Sequence, residues 1–98
     1  MKFNVTQKNI DTANRYNPNS CAVAKSHNDI EGVCYGQIIM SDGRSFAMPR
    51  ESFLSKWLVE FDFGFSTVKP ITVTLDEETF SAWATPTVIE SVRELLPV

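Results

Sequence analysis

The chain has 98 residues, of which 43% are hydrophobic and 11% aromatic. This length and apolar content predict one folded domain over residues 1–98, near the lower size limit for a self-sufficient core. The 12 acidic and 9 basic side chains give a formal net charge of -3, and the cations are scattered along the chain. Since a nucleic-acid surface usually carries clustered cations, this composition disfavours nucleic acid as a partner.

The sequence also disfavours a membrane protein. No stretch approaches the roughly 18 consecutive apolar residues of a membrane-spanning helix, and the N-terminal segment lacks the pattern of a secretory leader. We therefore expect a cytoplasmic protein. Cys21 and Cys34 are the two cysteines, and in a reducing compartment we expect both to be buried, reduced thiols.

The first third of the chain predicts a short strand and two short helices. Residues 3–5 favour an extended start, and Thr6 is suited to cap a first helix by accepting backbone N–H bonds. Residues 14–19 are rich in asparagine and predict a loop. Ser20 is then expected to cap a second short helix over residues 21–25.

The strongest local signal is a hairpin turn at Asp42 and Gly43. This dipeptide is typical of a type I′ turn, in which both central residues have positive φ. It predicts strands over residues 33–41 and 44–48, with apolar groups on both faces near the open end. One face is then covered by helices, and the other is available to a partner. The register of this turn opposes two pairs: Ile39 with Phe46, and Ile38 with Ala47.

An amphipathic helix is predicted after the hairpin. Pro49 is well placed to open it, because the missing N–H of proline costs nothing at a helix start. Gly64 is suited to end it in a left-handed conformation. The apolar residues recur at the spacing of one helix face: Phe53, Leu54, Trp57, Leu58 and Phe61.

The last third predicts a strand and two helices. Residues 71–75 alternate apolar side chains with threonine, which is the pattern of a half-buried strand. Asp76 is expected to cap a short helix that carries Phe80 and Trp83. Thr87 is expected to begin a final amphipathic helix. The element order predicts an α+β fold, with a small, mostly antiparallel sheet of about three or four strands packed against helices.

Cys21, His27 and Cys34 are the first candidates for chemistry. A thiol relayed to an imidazole is sufficient for nucleophilic catalysis, which leaves a small cysteine-dependent enzyme open. His27 lies in a polar run, however, where an exposed histidine is ordinary. A zinc site needs four ligands, usually with close pairs, and the spacing here does not supply them. We expect no metal and no cofactor, and no catalytic residue is assigned.

Asp62, Phe63 and Gly64 spell the tripeptide that binds magnesium in protein kinases. The chain lacks the glycine-rich loop, the strand lysine and the catalytic loop of a kinase. The tripeptide is interpreted as a helix end.

The most distinctive side chains are three phenylalanines around that helix end. Phe61, Phe63 and Phe65 fall at two-residue intervals, so they cannot all lie on one face of a regular helix. At least one is expected to project outward, as aromatic residues at interaction surfaces do. The alternative is that all three fold back to complete a small core.

Five short segments carry a family resemblance. The pattern V-T-x-x-x-I, C-x-V-A, x-P, F-D-x-G and a proline occurs at residues 5–10, 21–24, 48–49, 61–64 and 70. This order and spacing resemble a group of small bacteriophage and prophage proteins of unknown activity.

The chain departs from that group at three positions. Asn9 stands where histidine is usual, Ala22 where proline is usual, and Met48 where leucine is usual. The resemblance implies a protein that acts in the cytoplasm of an infected bacterium, and it supplies no catalytic residue.

The leading interpretation is a non-enzymatic, phage-type accessory protein that binds and modulates a host protein in defence or transcription. It would present the apolar hairpin or the segment from Phe61 to Phe65. An alternative is a homo-oligomer that sequesters a nucleotide signal, with Arg44 or Arg50 on the phosphate. The small enzyme dependent on Cys21 is the third interpretation.

Overall fold

The computed structural model describes residues 1–15, 17–64 and 68–87. Phe65 and the final helix expected after Thr87 lie outside these ranges. Within them the chain forms six strands and three helices. In chain order the elements are β1 (Lys2–Val5), α1 (Gln7–Thr12), α2 (Ala22–Lys25), β2 (Ile30–Cys34), β3 (Gln37–Met40), β4 (Ser45–Ala47), α3 (Phe53–Phe63), β5 (Ile71–Asp76) and β6 (Ser81–Pro86).

The strands form one curled, six-stranded sheet in the order β1-β5-β6-β4-β3-β2. Neighbouring strands are antiparallel except β4 and β6, which run parallel and join the two halves of the sheet. The predicted sheet of three or four mostly antiparallel strands is therefore wrong: the described residues alone form six strands, and the sheet is mixed. The parallel pair is possible because α3 and β5 separate β4 from β6 in the chain.

One additional strand comes from a turn inside the segment predicted as a single strand over residues 33–41. The chain reverses at Tyr35 and Gly36, so that Cys34 pairs with Gln37 and the segment divides into β2 and β3. Gly36 has a φ of 113°, which a residue with a side chain rarely adopts.

The other additional strand is β6, which replaces the helix predicted after Asp76. The Asp76 carboxylate does accept backbone N–H bonds, from Glu78 at 2.8 Å and Thr79 at 3.3 Å. These bonds hold the pKa of Asp76 below its ordinary value. They close a turn instead of a helix, because Phe80 takes a φ of 52° and redirects the chain back along β5. Trp83 then faces outward from the strand.

The hairpin between β3 and β4 exists, but its register differs by one residue from the prediction. Gly43 has a φ of 94°, whereas Asp42 does not have a positive φ, so the type I′ turn is absent. The Met40 N–H instead donates to the carbonyl of Arg44, which makes a three-residue loop. The observed pairs are Gln37 with Ala47, Ile38 with Phe46, and Ile39 with Ser45.

Helix α3 begins at Phe53, four residues after the proline that was predicted to open it. Pro49 instead accepts a turn bond from the Ser52 N–H, and the Ser52 hydroxyl caps the helix by accepting from Ser55 at 3.2 Å. At the other end Gly64 has a φ of 67° and donates to the carbonyl of Glu60, which confirms the predicted left-handed end. The predicted apolar face is confirmed at Leu54, Trp57, Leu58 and Phe61, but Phe53 is 43% exposed.

The two short helices differ at their N-caps. Thr6 caps α1 with a reciprocal bond to Asn9, as predicted. Ser20 does not cap α2, since Cys21 takes that position and makes no side-chain cap bond.

The core lies against one face of the sheet. Helix α2 and the buried face of α3 cover it, and the alternating residues of β5 point into it. In the described part of the chain, no helix has both the length and the apolar character needed to cross a bilayer. The largest fully buried side chains include Phe46, Phe61, Ile38, Met40 and Leu54.

Candidate functional site

A cavity of about 240 Å³ opens beside the C-terminal half of α3. Among the described residues, three parts of the chain line it: the segment that leads into α2, the end of β2 with its turn, and one face of α3. Their contributions are, respectively, Asn17, Pro18 and Cys21; Val33, Cys34 and Tyr35; and Leu58 and Asp62.

Backbone hydrogen bonds hold the first wall in place. The carbonyl of Asn17 accepts from the Cys21 N–H at 2.9 Å, which fixes the start of α2. The Val33 N–H donates to the carbonyl of Pro18 at 2.8 Å, so the loop is attached to the outer edge of β2. These bonds are independent of side-chain identity, which makes the wall a stable part of the cavity.

The second and third walls are joined by a side-chain hydrogen bond. The hydroxyl of Tyr35 donates to Oδ2 of Asp62. Tyr35 is 57% exposed and Asp62 is 9% exposed, so the bond runs from the mouth of the cavity to a nearly buried carboxylate. Leu58 and Asp62 lie one turn apart on α3 and therefore line the same side of the helix.

Asp62 is the one acidic side chain among the described residues that line the cavity. Asp62 lies in the last turn of α3, where the carbonyl end of the helix already carries partial negative charge. Burial raises the pKa of the Cys21 thiol, and the charge of Asp62 raises it further. The Cys21 thiol is thus protonated at neutral pH, and the field of Asp62 extends to the opposite wall.

The two cysteines differ in accessibility. Both are free thiols, but Cys21 is buried and Cys34 is exposed, so the prediction that both are buried is wrong for Cys34. His27 contacts the ring of Phe3 at 5.4 Å between centroids, and its Nδ1 accepts from the Asp29 N–H at 3.1 Å. The structure therefore brings Cys21 together with Cys34 at the cavity and leaves His27 outside its walls.

The structure describes two of the three predicted phenylalanines, and these two differ in exposure. Phe61 is 1% exposed and stacks on Trp57 at 5.8 Å, with the Arg15 guanidinium 5.5 Å from the centre of its ring. Phe61 is therefore a core residue, and its predicted binding role stays a prediction. Phe63 is 50% exposed, so the alternative in which all three rings complete the core is wrong. Phe65 lies outside the described residues.

An exposed apolar strip of α3 adjoins the cavity. Successive helix residues are about 100° apart around the axis, so Val59 and Phe63 form the row next to Leu58 and Asp62. Val59 and Phe63 are exposed, as is Tyr35 on the facing turn. We call Tyr35, Val59 and Phe63 the apolar rim.

Neither predicted phosphate-binding arginine lines this cavity. The Arg44 guanidinium pairs with Asp42 at 2.8 Å and with Glu77 at 3.5 Å, and it lies 5.7 Å from the centre of the Phe46 ring. Arg50 is exposed in the turn before α3. Across residues 1–15, 17–64 and 68–87, no group of three or more His, Cys, Asp or Glu side chains has the arrangement of a metal site.

Tyr35 and Asp62 are the site residues that sequence reasoning missed. They are 27 residues apart and lie on different elements, so no local pattern connects them. One signal was available: an acidic side chain in the last turn of a helix opposes the helix dipole, and such a position calls for a reason beyond helix stability.

Comparisons of this chain with protein-family models, with curated proteins and with solved structures found no match. The resemblance to bacteriophage proteins therefore stays a prediction, and the geometry of the cavity and its rim supports the functional proposal below.

Proposed function

We propose that this protein is a non-enzymatic binding protein that docks another protein on the cavity and the apolar rim. The observation that supports it is the juxtaposition of a 240 Å³ cavity with three exposed apolar side chains. Protein interfaces combine such features: a partner side chain fills a pocket, and surrounding aromatic groups exclude water from it.

The partner in this proposal is a protein of a bacterial host, in whose cytoplasm the chain modulates a component of defence or transcription. The bacteriophage resemblance supports this part of the proposal. The cavity supports only the mode of binding, in which one side chain of the partner enters between Pro18 and Leu58. Tyr35 and Phe63 then contact the residues that flank it.

The other two interpretations have less support from the geometry. A nucleotide phosphate would compete with Asp42 and Glu77 for Arg44, which both carboxylates already contact. A catalytic Cys21 would need a thiolate, but burial raises the pKa of that thiol. The first interpretation would require Arg44 to exchange its carboxylate partners for a phosphate. The second would require the Cys21 thiol to ionise at a buried position.

The test is capture of partners from host lysate by the full chain, with quantitative mass spectrometry and a matched pair of variants. Phe63→Ser alters the apolar rim. Trp83→Ser removes an equally exposed aromatic from β6, away from the cavity, and serves as the control. The proposal expects a protein retained by the wild type and the control, and bound about tenfold more weakly by Phe63→Ser.

Alkylation of Cys34 gives an independent readout at the site. Cys34 is exposed and lines the cavity, so the captured partner should slow its reaction with iodoacetamide. A partner that binds both variants equally and leaves Cys34 reactive would show that the interaction uses another surface and would overturn the proposal.

A further inference from the structure

The chemistry of the cavity identifies the kind of side chain that it accepts. Building on the binding function proposed above, we propose that the cavity receives a lysine or arginine side chain of the partner, with its cation on Asp62 and its aliphatic stem along the apolar walls.

The nearly buried carboxylate of Asp62 favours a cation over an uncharged group. Asp62 is nearly buried at the end of an otherwise largely apolar cavity. Taking an ionised carboxylate out of water is costly, and an incoming cation offsets that cost, whereas an incoming methyl group increases it. A carboxylate has about four lone-pair positions and can accept several donors at once, the Tyr35 hydroxyl among them.

The position of Asp62 at the end of α3 also favours a cation. Asp62 occupies the last turn, where cations are favoured: the Arg15 guanidinium of this chain already donates to the carbonyl of Phe61 there at 2.7 Å. The whole chain also carries a net charge of -3, which favours the approach of a basic segment.

The shape of the cavity favours a long side chain with an apolar stem and a charged end. Lysine and arginine have long apolar stems that pack on apolar surfaces while the charged end reaches a polar partner. Here Pro18, Val33 and Leu58 supply the apolar walls, and the exposed ring of Tyr35 at the mouth can contact a cation on its face. A volume of 240 Å³ accommodates a single side chain and not a folded element.

Three small probes test this inference on the full chain without the partner: n-butylammonium, n-butanol and n-butyrate, which share a stem and differ in charge. Binding is followed by the backbone amide shifts of the ¹⁵N-labelled protein at Cys34 and Tyr35. We expect butylammonium to bind weakly, in the millimolar range, and about tenfold more tightly than butanol, and butyrate to cause no shifts.

Two variants assign the effect to one carboxylate. Asp62→Asn should weaken butylammonium about tenfold, whereas Glu60→Gln, which removes an exposed charge from the same helix turn, should leave it unchanged. If Asp62→Asn fails to fold, the comparison of charged and neutral probes on the wild type still decides the question.

Butanol binding as tightly as butylammonium would overturn the cationic anchor. The same result would leave an apolar docking cavity, so the proposed binding function would survive it. Conversely, a partner that is insensitive to Phe63→Ser and leaves Cys34 reactive would overturn the binding function whatever the probes show. Equal weakening by Asp62→Asn and Glu60→Gln would also overturn the inference, because it would reflect overall charge and not the cavity.

Discussion

The hydroxyl of Tyr35 donates a hydrogen bond to Oδ2 of Asp62 and so joins the turn between β2 and β3 to the last turn of α3. This bond closes the cavity on one side and fixes the orientation of its carboxylate. The β2–β3 hairpin contributes two further wall residues, Val33 and Cys34. The shape of the cavity therefore depends on a contact between two elements that are distant in sequence.

A double-mutant cycle on this pair measures the contact. Tyr35→Phe removes the donor and should lower the free energy of unfolding by about 1–2 kcal/mol, because the bond is made to a carboxylate. Asp62→Asn should have a smaller effect when Tyr35→Phe is already present. Urea unfolding of the four proteins gives the coupling energy. Strictly additive losses would contradict a direct interaction between the two side chains.

Phe61 and Phe63 provide a matched test of which ring belongs to the core. Phe61→Ala should cost about 3–5 kcal/mol of unfolding free energy, because the ring is buried against Trp57. Phe63→Ala should change it by no more than about 0.5 kcal/mol, since half of the ring is exposed. Thermal or urea unfolding separates the two results. Similar losses for both variants would place Phe63 in the core.

The Cys21 thiol predicts a decline of stability at alkaline pH. Burial raises its pKa in the folded state above the ordinary value of 9.0. Below pH 9 the thiol is protonated in both states and its contribution is complete; as pH rises from there towards the folded pKa, the unfolded chain loses the proton first and stability falls. Unfolding free energies measured from pH 7 to 10 should therefore decline less in Cys21→Ala than in the wild type.

The exposed thiol supplies the control for that experiment. Cys34→Ala should keep the full alkaline decline of the wild type. In the native protein Cys34 should react with a disulfide reagent well before Cys21, and both should react after unfolding. An equal, rapid reaction of both thiols in the native state would contradict the burial of Cys21.

At position 80, glycine should give a more stable protein than alanine, which is the reverse of their usual order. Phe80 has a φ of 52°, which disfavours any residue that carries a Cβ, alanine included, and its ring lies 5.7 Å from that of Phe46. Both Phe80→Gly and Phe80→Ala lose the ring contact, but only glycine relieves the backbone. Phe80→Gly should therefore be about 1 kcal/mol more stable than Phe80→Ala by urea unfolding. Alanine as the more stable variant would contradict the left-handed conformation.

Periodic patterns in the sequence predict those elements whose stability is local. The apolar spacing of α3, the alternation in β5 and the left-handed end at Gly64 are all present. Each depends on residues that lie within the element or next to it in the sequence. Such patterns are therefore readable from the sequence.

The errors arise where two structures share the same local chemistry. Asp76 accepts backbone N–H bonds both in a helix cap and in the turn that is present, and only the left-handed Phe80 separates the two. The strand β6 then buries Ala82 and Ala84, whose small side chains give a weak alternating signal. Tyr35 with Gly36 is likewise a less typical turn sequence than Asp42 with Gly43.

The cavity could not be predicted, because it is assembled from segments that no local pattern connects. Its polar pair joins Tyr35 and Asp62 across 27 residues. The predicted surface shares one residue, Phe63, with the apolar rim. Arg44, by contrast, serves the turn between β3 and β4 through its bond to Asp42.

The parallel contact between β4 and β6 has a consequence for the order in which the protein opens. One register pair, Ala47 with Ser81, joins two halves that are each held by three to six pairs per strand neighbour. The Ala47 amide donates to the carbonyl of Phe80 at 2.8 Å. In native-state hydrogen exchange this amide should exchange before the Val73 amide at the centre of β5, because a single pair can open without breaking the longer ladders on either side of it.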